Sequence, residues 1–412
     1  MKKFPSINPM PRLIINISKY NMKFYSKSIG YFEILLFTTF LVIYYFLTFK
    51  IDTDIPHHAE FIKEYAEGKK TFEVNFLYYL SVYFLSFFSS NIVVLFSVSV
   101  IVLSIATFLK YFIVKRILIS ELFENYKNID FVSTIASFVL IISFSLPSIM
   151  LFMRKLYSMS LPPNVWHNST TIAVMPFVIL LFWLSVKQLE LFNSKRLIYI
   201  GLLIVGSALI KPSFLFVYLI VYPILLFKKF LFSRLFWINL IPLSIAILLI
   251  FVEYYLIYLV NAIHSEDKNS ISIDLFYLIN VKFANGNVFK IIILLLSTII
   301  SSLLFPIVLL LRNKTLIKIQ SIQFAVFCSI VAFIIGNLVV ETGNRAFHGN
   351  FFWQNIMCSF LLFFICTLHL LKLIALDEFK WRKYTIEITA LALHFVFGIL
   401  YLTKIFITTS YS

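Results

Sequence analysis

Charge is scarce in this 412-residue chain: Asp, Glu, Lys and Arg make up only 13% of it, where a soluble domain carries about 25%. Cysteine is scarcer, with three in all. Cys328, Cys358 and Cys366 lie in or beside apolar runs, with no CxxC spacing and no histidine at ligand distance, which excludes a disulfide or metal framework. Long polar stretches are missing too. The longest, residues 50–73 and 258–290, are loop-sized, so no separate soluble domain is expected and residues 1–412 read as a single transmembrane domain. What is present is apolar: 61% of the residues are hydrophobic and 18% aromatic. That composition excludes a soluble enzyme, a disordered regulator and a disulfide-stapled secreted domain.

The chain is therefore read as an all-α polytopic membrane protein. Runs long enough for a spanning helix of about 20 residues occur at 31–49, 92–114, 131–152, 171–187, 197–211, 213–228, 236–260, 291–311, 320–340, 351–373 and 387–404. The first run is too long and badly flanked for a cleavable signal. The net charge of +16 would point to nucleic acid in a soluble protein. Here 23 of the 35 basic residues fall in six segments between apolar runs, so they read as cytoplasmic anchors and no nucleic-acid partner is expected. Placing those segments inside gives eleven spans, a cytoplasmic N-terminus and an outer C-terminus, in the inner or plasma membrane. A twelve-span arrangement puts one basic loop on the wrong side. Residues 74–109 hold more apolar chain than one crossing needs. Ser89-Ser90-Asn91 divides them, and the first piece carries three Tyr and four Phe, suited to the membrane interface. The first outer loop, 50–91, is thus expected to hold an amphipathic helix over 57–68, ended by Gly68, and an interfacial helix over 75–89. A tight hairpin turns at Lys211-Pro212.

With this topology the unusual polar residues collect on the outer side. Five of the seven histidines (His57, His58, His167, His264 and His348) fall there, as do ten of the nineteen carboxylates. One cluster is Asp52-Thr53-Asp54-Ile55-Pro56-His57-His58. Asp54 could be no more than a helix N-cap with Pro56 in the first turn, but a cap leaves Asp52 and both histidines unexplained. A second is Leu161-Pro162-Pro163-Asn164-Val165-Trp166-His167-Asn168-Ser169-Thr170. Trp166 alone could be an interfacial anchor; His167 and Asn168 beside it call for another reason. Asn168-Ser169-Thr170 also matches a glycosylation acceptor, a pattern too short to carry weight. The third runs from Glu341 to Trp353, with Arg345, His348 and Asn350 between. Its bland reading is a polar turn with a Glu341–Arg345 pair worth a few tenths of a kcal/mol; its sharper one is a phosphate site, since Arg is a planar clamp and glycines admit backbone to an anion. Lys211 reads equally as a snorkelling lysine or a phosphate contact. Glu253, inside a span, should either face the bundle with a partner or be protonated and structural, the second being the preferred reading.

An aspartate pair outside the first span, then an amphipathic helix, a short aromatic helix and the second span, resembles the layout of the integral-membrane GT-C type glycosyltransferases over about the first 115 residues. Lys211-Pro212 resembles a basic outer position in such enzymes, and the Pro162–Thr170 and Glu341–Trp353 phrases are similar to stretches in bacterial surface-polysaccharide membrane proteins. The outer loops are short, and no large outer C-terminal domain follows. The resemblance implies a polyprenyl-phosphate-linked sugar as donor and a glycan or lipid-linked acceptor. It implies Asp54, with Asp52 as alternative, as general base. Arg345, Lys211 and His348 would meet the phosphate. His57, His58, His167, Asn168, Glu341 and Asn350 would contact donor or acceptor, and Trp166 or Trp353 would stack on a sugar. A divalent cation held by Asp52 and Asp54 is compatible but not required. Two other readings stand beside this one: a polysaccharide polymerase or ligase acting on lipid diphosphates, with Arg345 and Glu341 central, and a lipid-linked glycan flippase or transporter.

Overall fold

The computed structural model describes residues 30–72, 74–122, 128–150, 160–260, 270–347 and 349–410. His264 and His348 lie outside them. Nine helices among the described residues are long and apolar enough to cross a membrane. The chain opens with α1 (Tyr31–Phe49), α2 (Asp54–Ala66), α3 (Leu77–Leu85), α4 (Ile92–Leu122) and α5 (Ile129–Ile142). Next come α6 (Ser169–Glu190), α7 (Ser194–Ile210), α8 (Ser213–Phe230) and α9 (Arg234–Tyr254). The last four are α10 (Val288–Arg312), α11 (Gln320–Leu338), α12 (Trp353–Leu376) and α13 (Thr385–Thr408).

Helices α6 and α12 are buried on nearly every side, as expected of helices apolar all round, and the others surround them with apolar faces turned outward. Helix α2 does the opposite. It buries only Ile55, Ala59 and Ile62 along one stripe and ends where Gly68 takes a left-handed φ of 70°, a conformation glycine adopts without strain. The aromatic helix α3 buries Tyr78, Tyr79 and Val82.

One apolar run does not form the continuous helix its length implies. Within the run 131–152, of which 151 and 152 lie outside the described residues, the α-helix stops at Ile142; Ser143 turns to φ −52°, ψ 139°, and residues 144–148, with Pro147 among them, form no regular element. Their backbone groups find partners on neighbours. Phe144 N–H donates to the His394 carbonyl (2.9 Å) and Leu146 N–H to the Ser301 carbonyl (3.1 Å). His394 Nδ1 pairs with the Phe144 carbonyl at 2.7 Å. Helix α10 makes room by kinking at Leu303 (φ −118°, ψ 23°), ahead of Pro306, which removes a donor and crowds the preceding turn. Helix α7 has 17 residues and also falls short of a comfortable span.

The polar stretch 258–290 is not featureless. Beyond Tyr254, α9 widens into a π-helical turn over Tyr255–Val260. A short strand β1 (Ile271–Ile273) pairs antiparallel with β2 (Val339–Glu341), Ile271 opposite Glu341. This ribbon ties the α9–α10 connection to the loop after α11, at the end of the bundle where α2 lies.

Candidate functional site

The site begins with a cap. Thr53, not Asp54, caps α2: its hydroxyl accepts from Ile55 N–H at 3.2 Å. Asp54 occupies the first turn, favourable to a carboxylate at the positive end of the helix dipole, and its side chain is released for other contacts. Oδ2 accepts from Asn168 Nδ2 at 2.5 Å; among the described residues nothing hydrogen-bonds Oδ1.

Asn168 is itself the N-cap of α6, its Oδ1 accepting from Thr171 N–H at 3.0 Å. The same oxygen receives Lys211 Nζ at 3.3 Å, which also donates to Thr170 Oγ1 at 3.2 Å. Lys211 stands in the two-residue turn between α7 and α8, as the Lys211-Pro212 hairpin predicts. Its ammonium lies 4.7 Å above the Trp353 ring, within cation–π range, and His167 packs against that ring with centroids 6.0 Å apart. One turn along α2 from Asp54, His58 Nδ1 hydrogen-bonds Ser169 Oγ. Parts of four segments thus converge around Asn168.

Burial dominates the ionisation here. It pushes His58 and His167 down to about 4, against the pull of Asp54 in the other direction, so both imidazoles are neutral at pH 7. Burial likewise pulls Lys211 down to about 8, with Asp54 and Glu253 opposing.

The third cluster joins through Glu253. Its carboxylate lies near Asn75, ahead of α3, and within electrostatic reach of both Lys211 and Arg345. Arg345 Nη1 stands 3.6 Å from Glu341 Oε1. Glu341 is nearly sealed off at 4% exposure; its oxygens accept from Tyr258 OH (2.6 Å) and Asn350 Nδ2 (2.5 Å). With both oxygens engaged, Glu341 holds Arg345 and is poorly placed to take a proton. The Glu341–Arg345 pair forms across a strand end and a 3₁₀ turn, not along a helix.

Some residues singled out in the sequence do not join. Trp166 is 2% exposed and packs among Phe40 and Tyr44, centroids 6.3 and 6.1 Å away, so it is core and offers no face to a sugar. Asp52 turns outward to His57 Nε2 at 2.9 Å, while His57 Nδ1 meets Glu60 at 3.3 Å. The carboxylates of Asp52 and Asp54 take different partners; among the described residues no group of three or more His, Cys, Asp or Glu is arranged to hold a metal. The structure adds Asn75, Tyr258, Ser169 and Thr170. Tyr258 sits in the π-helical turn, whose widening has no signature in an unbroken apolar run.

Neither a protein-family profile, a curated protein nor a solved structure matches the chain.

Proposed function

We propose that the chain is a membrane glycosyltransferase that moves a sugar from a polyprenyl-phosphate donor to a glycan or lipid-linked acceptor at the outer membrane face. The observation that carries this reading is a carboxylate with one oxygen anchored and the other open, Asp54, within electrostatic reach of Lys211, at the end of an apolar bundle where Glu253 stands within reach of both Lys211 and Arg345. Asn168 fixes Asp54 Oδ2 and leaves Oδ1 to take the acceptor's hydroxyl proton. The acceptor oxygen then bonds to the sugar's anomeric carbon as the bond from that carbon to the phosphate oxygen breaks, with inversion. The electron pair leaves on the phosphate. Lys211 and Arg345 neutralise it, and because both cations are held in place beforehand, little reorganisation is needed. Trp353, with its face partly open, is the stacking surface for the sugar. His58 and His167, being neutral, orient hydroxyls.

Replacing Asp54 by Asn keeps the contact with Asn168 in shape and removes the base. Transfer from a polyprenyl-phosphate sugar should fall by about 10²–10⁴ with the protein still present in the membrane; unimpaired transfer by that variant would sink the assignment. If Arg345→Ala abolishes turnover while Asp54→Asn does not, the polymerase or ligase reading takes its place. The interruption of α5 and the kink of α10 favour a transporter reading to the extent that transporters build sites from broken helices. Sugar uptake into proteoliposomes by the Asp54→Asn protein would support it.

A further inference from the structure

Lys110 lies within α4, only 7% exposed, and among the described residues no carboxylate pairs with it. Its Nζ donates to Asn164 Oδ1 at 2.6 Å and stands 3.7 Å over the Phe360 ring. Asn164 has nothing further to give: both its amide hydrogens go to the carbonyls of Leu140 (2.8 Å) and Ser143 (2.7 Å), the groups freed where α5 stops.

Beside Lys110 is a cavity of about 20 Å³, whose polar lining is Tyr44, Thr107, Lys110, Asn164 and Trp166. Tyr44 OH and Thr107 Oγ1 are 2.6 Å apart, so one hydroxyl proton lies between them and a second remains to be donated. The buried Trp166 Nε1–H has no acceptor among the described residues. The lining therefore offers three donors, an ammonium, an indole N–H and a hydroxyl. A water has lone pairs for only two of them and brings no charge to the ammonium. A monoatomic anion accepts all of them and supplies the charge that a buried ammonium otherwise lacks.

We propose that this cavity binds one monoatomic anion, chloride, held by Lys110, Trp166 and the Tyr44–Thr107 pair. It is separate from the Asp54 site and does not depend on the transferase reading.

The test is thermal unfolding of the full chain in detergent, titrated with potassium chloride against potassium gluconate at constant ionic strength, gluconate being too large for the cavity. Chloride should raise the melting temperature saturably, since a ligand bound only to the folded state stabilises by mass action. Trp166→Phe, which removes a single donor, should raise the half-saturating chloride concentration about ten-fold, and Lys110→Met should abolish the response. Identical melting of the unaltered protein in both salts overturns the proposal, as does an unchanged half-saturation in Trp166→Phe. If Lys110→Met does not fold, the Trp166→Phe titration alone decides.

Discussion

Lys211 shows how much one side chain's surroundings change what it can do. A solvated lysine stays charged to about pH 10.4. Burial brings Lys211 to about 8, so its ammonium is about nine-tenths present at pH 7 and is lost as pH rises through 8. Binding of an anionic polyprenyl phosphate should accordingly hold steady to about pH 7.5 and weaken up to ten-fold per pH unit above about 8. Lys211→Arg should remove that decline, because a guanidinium keeps its charge throughout this range. Dissociation constants measured from pH 6.5 to 9.5 check this; a flat profile for the unaltered protein would remove Lys211 from the phosphate site. The residue types of the site were legible in the sequence, where Asp54, Lys211, Arg345, His58 and His167 stand out as polar groups amid apolar runs. Their division of labour was not. Thr53 and Asp54 are both good caps, and only the turn of the chain decides that Thr53 caps and Asp54 is released. Trp166 and Trp353 look alike in sequence, yet one is sealed among Phe40 and Tyr44 and the other lies under the Lys211 ammonium.

Among the helices, the one that ends early makes the strictest demands. The C-terminal end of α5 is held by α13 through the two bonds between Phe144 and His394 and by Tyr401 stacked on Phe144 at 3.9 Å. Gly398 permits this approach: a Cβ there would come within 1.8 Å of the Ile142 carbonyl oxygen. That oxygen belongs to backbone and cannot swing aside as a side-chain tip does. Gly398→Ala should therefore exceed the about 1–3 kcal/mol usual for overpacking. Size-exclusion profiles and melting of the purified variant read this out, a normal profile with unshifted melting being the contrary result. In the sequence, 131–152 passes for an ordinary span, since hydrophobicity registers length and not continuity. Pro147 and the serines at 143, 145 and 148 were the available signal; the partners that satisfy the broken backbone are Asn164 and groups on α10 and α13, the last two more than a hundred residues away. The first loop was more legible because its cues are local: the Ile55–Ala59–Ile62 spacing, Gly68, and the aromatic run of α3.

Across the whole molecule the two ends of the bundle differ in how charge is used. At the Asp54 end, Lys211 and Arg345 share a site with Glu253 and are left partly open. At the other end, cations and carboxylates pair between helices. Lys115 bonds Glu33 at 2.6 Å with both side chains about nine-tenths buried, Glu121 bridges Lys187 (2.7 Å) and Lys372 (2.8 Å), and Arg312 meets Glu387 at 2.8 Å. Breaking one partner of so buried a pair as Lys115–Glu33 costs about 3–5 kcal/mol, so these clamps fix how the helix ends meet. Basic loops tend to stay cytoplasmic, so the lysines and arginines on this side lead us to expect the Asp54 end outside. Cysteines introduced singly at the exposed positions Lys69, Ser90, Lys195 and Lys380 test that orientation. The background should lack Cys328, Cys358 and Cys366, all buried. A membrane-impermeant maleimide added to intact cells should label positions 69 and 90, and reach 195 and 380 only after permeabilisation. Positions 69 and 90 flank α3, so labelling of 90 from the cytoplasm would make α3 a crossing and raise the span count to twelve. Labelling of 195 or 380 in intact cells would place the paired end outside, and a donor presented at the outer face could not then reach Asp54.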